Sequence, residues 1–334
     1  MQFNQSLDDV EWPGSLEYLA FGDMFNRPVL GAMEWVNLKQ LKFGFHFNQP
    51  IGGACWPALT DLVLGAMFDQ DVIGVTCPQL ETLKIGDAFN KTVVGVDWPN
   101  LQILVLGSKI GILGSYFNKP MIGAVMPRLE RLELGRRFSM TIPAEFPVLQ
   151  YLKLGDMFND PLTGHWPRLK HLEFGANFNR PMVGVEITEI EKIVFGTYFD
   201  QSIQGVSWPR LKHLEFGERY NQPMVGVEIT EIEKIVFGKH FNQYIGGVSW
   251  PRLKHLEFGE RYNQPMVGVE ITEIEKIVFG EDFDQSINGV WWPRLKHLQF
   301  GQVTVDLTGV DVSDIGQLVV PSGKPSDPEI FDLT

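Results

Sequence analysis

The chain has 334 residues, of which 44% are hydrophobic, and it carries a formal net charge of −13. That acidic balance argues against a nucleic-acid backbone or an anionic membrane surface as the main partner. The sequence has no run of 18 apolar residues, so it predicts no transmembrane segment, and its first residues lack the basic start and apolar core of a secretory signal.

One short segment recurs along the chain. It has the form apolar-x-x-apolar-x-apolar-Gly, and in nearly every copy an aromatic residue follows three positions after the glycine, with Asn or Asp next to it. Steps between the glycines are close to 21 residues, except for one of 28 between Gly107 and Gly135. Self-similarity at a period of roughly 20 to 50 residues predicts a solenoid. The fourteen marking glycines are Gly22, Gly44, Gly65, Gly86, Gly107, Gly135, Gly155, Gly175, Gly196, Gly217, Gly238, Gly259, Gly280 and Gly301.

The segment before each glycine is predicted to be a β-strand, because six residues followed by glycine are too few for a stable helix. In a parallel in-register sheet, equivalent residues of consecutive coils stack about 4.8 Å apart. The predicted fold class is therefore an all-β dominated repeat solenoid. It has a parallel in-register β-sheet, ~21-residue coils and little helix.

Two columns of bulky residues are predicted to fill the interior. The aromatic residues after the glycines form one, and eight of the nine tryptophans, which precede the strands, lie in the other. Each buried side chain of this size contributes about 1.5–3 kcal/mol. The Asn or Asp beside each aromatic residue is expected to bond turn backbone or the neighbouring coil.

The coils between Trp166 and Gly280 are nearly identical in pairs. Trp208–Gly238 recurs letter for letter at Trp250–Gly280, and Trp166–Gly196 differs only between Ala176 and Arg180. The signature that follows the glycine reads Phe47-Asn48-Gln49-Pro50-Ile51 in one coil and Tyr262-Asn263-Gln264-Pro265-Met266 in another. It resembles FNIP repeats, which are related to leucine-rich repeats. The resemblance implies a role in protein interaction or scaffolding and brings no catalytic residues.

The predicted organisation has three parts. Residues 1–301 form the tandem repeats, with an insertion at 108–116; residues 302–321 form a degenerate capping coil, and residues 322–334 an acidic tail. Ile315, Leu318 and Val320 match the interior strand positions, and Pro321 with the tail is expected to keep a further strand off that edge. The N-terminal end is expected to be disordered, capped by missing sequence, or buried against another protein.

Outward strand positions alternate in charge or type in the later coils. One column reads Lys, Glu, Lys from Lys170 to Lys296, and the next alternates His and Lys from His171 to His297. Alternation avoids stacking like charges directly on one another. Histidines of one column lie two coils apart, about 9.6 Å, which is too far for one metal ion. No metal, cofactor or catalytic site is therefore predicted.

The two cysteines, Cys55 and Cys77, lie one column out of register on neighbouring coils, so no disulfide is predicted. Reduced cysteines indicate a reducing compartment, and an intracellular location is expected.

The favoured function is a non-enzymatic protein-interaction scaffold or a structural subunit of a larger assembly, with protein partners. It would bind through the charged strand face, the apolar 108–116 insertion, or both. The alternative is a carbohydrate-binding or polysaccharide-acting β-solenoid. The candidate partner-binding residues are Ile110, Ile112, Leu113, Tyr116, Lys212, His213, Glu215, Lys254, His255 and Glu257.

Overall fold

The computed structural model describes residues 3–8, 10–29, 35–107, 114–142, 146–301, 315–321 and 328–332, with backbone alone for 321 and 328–332. These residues contain β-strands and turns and no helix, and so no helix among them could cross a membrane. The chain divides into two compact units, Met1–Leu169 (unit 1) and Lys170–Thr334 (unit 2). The candidate residues Ile110, Ile112 and Leu113 lie outside the described residues.

The described residues of unit 1 form seven short strands, and consecutive strands pair in parallel. The register joins equivalent coil positions, as in Leu62 opposite Leu83. The 28-residue step keeps the same register, because Leu104 lies opposite Leu132. The strands are β1 (Tyr18–Ala20), β2 (Gln40–Lys42), β3 (Asp61–Leu64), β4 (Thr82–Ile85), β5 (Ile103–Leu106), β6 (Arg131–Leu134) and β7 (Tyr151–Lys153).

Unit 2 continues the pattern through strands β8 to β15, which pair in parallel and in sequence order. His213 lies opposite Lys234, which lies opposite His255, and this confirms the predicted column. The strands are β8 (His171–Glu173), β9 (Lys192–Val194), β10 (His213–Glu215), β11 (Lys234–Val236), β12 (His255–Glu257), β13 (Lys276–Val278), β14 (His297–Gln299), β15 (Gln317–Pro321) and β16 (Pro328–Asp332).

The predicted interior columns are buried. Phe241 is fully buried, and its ring stacks between those of Tyr220 and Tyr262 at centroid distances of 6.0 Å. In the second column, Trp208 and Trp250 are each 1% exposed. These stacked rings form the main hydrophobic contribution to stability.

The marking glycines are required by the close approach of successive coils. A Cβ on Gly217 would lie 1.9 Å from the carbonyl oxygen of Gly196, which no side chain can tolerate. A second glycine column turns the chain: Gly226, for example, has φ +83°, in the left-handed region that favours glycine. The repeat thus fixes both positions for different physical reasons.

The Asn column bonds from coil to coil, as the sequence predicted. The Asn221 Oδ1 accepts the backbone N–H of Asn242 at 2.9 Å and the side-chain amide of Gln243 at 3.1 Å. Asp200 accepts the equivalent pair from Asn221 and Gln222. Each side chain satisfies turn donors that would otherwise be buried without a partner.

The C-terminal edge differs from the prediction. Pro321 and the acidic tail do not keep a further strand off this edge, because β16 pairs antiparallel with β15. The return strand satisfies the open edge of β15, and Pro321 lies opposite Pro328 at the end of the ladder, where a missing N–H costs little. Ile315 and Leu318 are buried as predicted, whereas Val320 is only half-buried and Val319 is buried instead.

Both cysteines are free thiols, in agreement with the prediction. Cys55 lies opposite Thr76 and is exposed, whereas Cys77 is buried beside the tryptophan column. Burial raises the pKa of the Cys77 thiol to about 12. The thiol of Cys77 is therefore an inert packing group at neutral pH.

Candidate interaction surface on the strand face

The strand face of unit 2 is built by three outward columns on strands β8 to β14. In each strand the middle residue points inward, as Leu214 does at 0% exposure, and its two neighbours point outward. The residue just before each strand forms the first column. The sequence-predicted candidates Lys212, His213 and Glu215 therefore share this face, and Lys254, His255 and Glu257 recur at the same positions two coils later.

Three first-column lysines are paired with glutamates of the preceding coil, whereas Lys170 is paired with Glu191 of the following coil. Lys212 Nζ lies 3.3 Å from a Glu191 oxygen, and Lys254 Nζ lies 3.3 Å from Glu233. Lys296 and Glu275 are 2.9 Å apart. These pairs are largely exposed and screened by solvent, so they mainly fix register.

An outer column beside them follows the same rule. Arg210 pairs with Glu189, Arg252 with Glu231, and Arg294 with Glu273. In these three pairs, as in those of Lys212, Lys254 and Lys296, the cation comes from a coil with the Trp-Pro-Arg-Leu-Lys sequence and the carboxylate from the coil before it. Neither column therefore offers an unpaired lysine or arginine among these residues.

The histidines of the second column face glutamates on the same strand. His213 Nε2 is 3.6 Å from a Glu215 oxygen, and His255 Nε2 is 3.4 Å from Glu257. Burial, together with the charges of Lys192 and Lys234, lowers the pKa of His213 to about 4. The closer contact with His255 holds the pKa of Glu257 below its usual value. The His213 imidazole is therefore neutral at pH 7.

Lys192, Lys234 and Lys276 differ from the lysines of the first column. Each is half-buried, and within the described ranges none has a carboxylate at ion-pair distance. They sit between histidines of the neighbouring coils. The sequence placed these three lysines in the column but did not single them out, because spacing alone does not say which lysine reaches a carboxylate.

Beside each of these lysines the third column carries a half-buried valine. Val194 follows Lys192 by two residues, and Val236 follows Lys234 in the same way. Coils of unit 2 therefore alternate between a histidine with a glutamate and a lysine with a valine, except that His297 has Gln299 beside it. We call the second column the basic stripe; it consists of His171, Lys192, His213, Lys234, His255, Lys276 and His297.

The remaining described candidate, Tyr116, lies in unit 1. Its backbone N–H donates to the Asp87 carbonyl at 2.7 Å, and the Arg137 guanidinium lies 4.1 Å from its ring centroid. These contacts fix the described end of the insertion to the neighbouring coils. No group of His, Cys, Asp and Glu suited to a metal ion occurs within the part of the chain that the structure describes.

No protein-family model and no curated protein matches this chain. Among solved structures, it is similar to CroV588, described as a novel circular LRR protein, with a TM-score of 0.65 and 24% identity over 96% of this chain. It is also similar to TLR13 in the TLR13–ssRNA13 complex, with a TM-score of 0.53 and 12% identity over 92% of this chain. The fold is thus that of a leucine-rich-repeat-type solenoid.

The chain spans little more than half the length of either protein, covering 58% of CroV588 and 54% of the TLR13 chain. At these identities the likeness concerns the fold alone. What the surface of this chain binds has to be argued from its own residues.

Proposed function

We propose that this protein is a non-enzymatic interaction scaffold of the FNIP-repeat type, and that it binds a protein partner through the strand face of unit 2. The observation that carries the proposal is the set of three half-buried lysines, Lys192, Lys234 and Lys276, without a carboxylate partner in the described residues. Each of these residues is half-buried and forms no ion pair with a carboxylate in the described residues, so a bound anionic group would add a new charge pair at each position.

The surrounding geometry supports the same proposal. Three near-identical coil pairs present one set of side chains at a fixed repeat on a sheet, which is a rigid support for binding. The valines add half-buried apolar surface next to each charge. Among the described residues the face presents no cluster suited to metal chemistry, and its carboxylates are engaged with lysine or histidine at Glu191, Glu215, Glu233 and Glu257.

Site-specific photo-crosslinking in an extract of the native source tests this proposal. A photoreactive phenylalanine is introduced at Val194 or Val236 on the face, and at Thr230 or Thr272, which are exposed outside the strands, as matched controls. We expect the face positions to capture one protein species that the control positions do not capture. Equal labelling at all four positions, or no captured protein from the face, would contradict the proposal.

The insertion is a second proposed surface in the same scaffold. Deleting Ser108–Gly114 removes its apolar residues and brings the coil back to the 21-residue period. We expect the shortened chain to fold and to lose capture of partners that depend on the insertion. If its captured proteins match those of the full chain, the insertion has no binding role.

A further inference from the structure

The spacing between the lysines of the basic stripe limits which ligands can contact all of them. Its lysines recur in every second coil, so their backbones lie about 9.6 Å apart in a parallel in-register stack. Three lysines therefore define three equivalent positions across about 19 Å of the sheet, running perpendicular to the strands.

The side chains next to the stripe fix which coils accept a negative charge. In coils with lysine the neighbouring outward residue is valine, and in the two coils between these lysines it is a glutamate, Glu215 or Glu257. A carboxylate on a ligand is thus attracted at Lys192, Lys234 and Lys276 and repelled midway between them. Because lysine-bearing and glutamate-bearing coils alternate, the surface disfavours a ligand whose negative charges are continuous along its length.

We propose that the basic stripe binds an extended acidic peptide that lies across the strands and carries a carboxylate at every third residue. A polyproline II helix has three residues per turn and a rise of about 3.1 Å per residue, so one of its faces repeats every ~9.3 Å. Over two steps it departs from the lysine spacing by about 0.6 Å. An α-helical heptad, at about 10.5 Å, departs by about 1.8 Å over the same two steps.

The valines define the second element of the ligand. Val194, Val236 and Val278 are half-buried, so a ring or methylene group of the peptide gains apolar contact beside each carboxylate. Prolines between the acidic residues supply that contact and hold the extended conformation, which lowers the entropy lost on binding. The proposal rests on the proposed function and specifies its partner class.

Two synthetic peptides with the same charge distinguish recognition of the carboxylate spacing from non-specific electrostatic attraction. One has four Glu-Pro-Pro repeats, and the other has four Glu-Pro-Pro-Pro repeats, so both carry four carboxylates in a polyproline II conformation, but only the first matches the lysines. Fluorescence anisotropy at low salt gives the dissociation constant of each for the full chain. We expect the matched peptide to bind about tenfold more tightly, which is what three partly exposed charge pairs supply.

Matched variants of the protein test whether the basic stripe causes the preference for the Glu-Pro-Pro peptide. Lys192→Gln, Lys234→Gln and Lys276→Gln together should abolish the difference between the two peptides. The control combines Lys212→Gln, Lys254→Gln and Lys296→Gln, which remove the same charge from the same face but from lysines already paired with Glu191, Glu233 and Glu275. We expect the control to keep the preference, and thermal unfolding verifies that both variants fold.

The proposal is overturned if the two peptides bind the wild type equally, or if the control variant loses the preference as fully as the stripe variant. A single-stranded RNA of equal charge that binds more tightly than the matched peptide through the same lysines would also overturn it. The crosslinking experiment distinguishes failure of this inference from failure of the proposed scaffold function. If the face captures a protein but neither peptide binds, the inference fails and the scaffold function stands; if the spacing preference is found but no protein is captured, the scaffold function fails.

Discussion

Units 1 and 2 each have the same kind of stacked aromatic interior, but their strand faces differ. Ring centroids in the aromatic column are 6.1 Å apart between Phe47 and Phe68 in unit 1, and 6.0 Å apart between Tyr220 and Phe241 in unit 2. The outward column that holds the basic stripe in unit 2 reads Tyr, Gln, Asp, Thr, Ile, Arg and Tyr in unit 1. The coils of unit 1 therefore stack although the outward residues of their strands follow no regular charge pattern.

The difference shows which repetition the fold requires. Stacking rings, close-approach glycines and coil-to-coil amides recur in both units because each coil depends on its neighbour for them. Coil stacking does not require alternating lysine and histidine in the outward strand column, because the coils of unit 1 stack with other residues at these positions. Unit 1 thus serves as an internal control for the charged face of unit 2.

Phe21 and Phe43 form a second column of rings in the first two coils of unit 1, and unit 2 has such a column along its repeats. Its coils end in Phe216 or Phe237 where unit 1 has Leu64, Ile85 or Leu106, and the Phe216 ring stacks on Tyr220 at 3.7 Å. This double stack increases the apolar contact within each coil. The greater uniformity of unit 2 therefore extends to part of its interior.

The largest expected effect tests the shared interior. Gly86→Ala in unit 1 and Gly217→Ala in unit 2 should each lower the free energy of unfolding by about 3 kcal/mol or more, because the new methyl would overlap the preceding coil. Urea-induced unfolding measures both. As a control, Gly226→Ala meets no atom within 4 Å and should cost only about 1 kcal/mol for its positive φ. If only one of the two substitutions destabilised the protein, the interiors of the two units would not be equivalent.

The amide column gives a smaller effect that should again be equal in the two units. Asn48→Ala and Asn221→Ala each leave a backbone N–H and a glutamine side chain of the next coil without an acceptor. We expect a loss of about 1–3 kcal/mol in each case, measured by urea unfolding. Asn→Asp at the same positions should cost much less, because Asp69 and Asp200 already fill this role.

A pH titration should separate the two units. The pKa of His213 falls from 6.5 to about 4 on folding, so between these values the unfolded chain binds a proton that the folded chain does not. The stabilising contribution is present above pH 6.5 and is lost as the pH falls toward 4, with a magnitude of about 1 kcal/mol after discounting for solvent screening. Lys192, Lys234, Glu215, His171 and His255 are the charged groups that face this ring.

Hydrogen exchange at pH 7 and pH 5 measures that loss in each unit. We expect protection to fall around β10, while β2 and β4 of unit 1 change little, because Gln40 and Thr82 stand in the same column there. His213→Gln should remove the difference, and nuclear magnetic resonance should place the imidazole titration near pH 4. A midpoint near 6.5 would refute the assigned environment.

The smallest expected change comes from removing a whole coil pair. Deleting residues 208–249 joins Ser207 to Trp250, a junction identical to the one already present at Ser207–Trp208. We expect cooperative unfolding with a denaturant slope lower by about one eighth, in proportion to the lost surface. Deleting the 42 residues 45–86 in unit 1 creates a new junction and should cost more stability.

Much of this architecture follows from the sequence because the period itself specifies neighbours. Once His213 and His255 are placed two coils apart, the register, the buried Phe241 and the amide column are consequences of stacking. The repeat holds no information about β16, which pairs antiparallel and falls outside the period. For this reason the sequence placed Val320 inside where the structure buries Val319.

The candidate surface was predictable only in part. The column positions of Lys212, His213 and Glu215 were correct, but a lysine between two glutamates of neighbouring coils can reach either. The structure pairs Lys212 with Glu191 and leaves Glu233 to Lys254. Spacing along the chain does not settle that choice. Nor does it show that Lys192, Lys234 and Lys276 lack a carboxylate partner in the described strands.

The amide column also has a direction that bears on biosynthesis. In the described coils each Asn or Asp oxygen accepts from the coil that follows it in the chain, as Asn26 does from Asn48 and Asn48 from Asp69. During translation the acceptor is therefore in place before its donor leaves the ribosome, so the nascent chain can order one coil at a time on its most recently completed turn. During such growth the edge at the growing end is one short strand, which limits the chance that two nascent chains pair there.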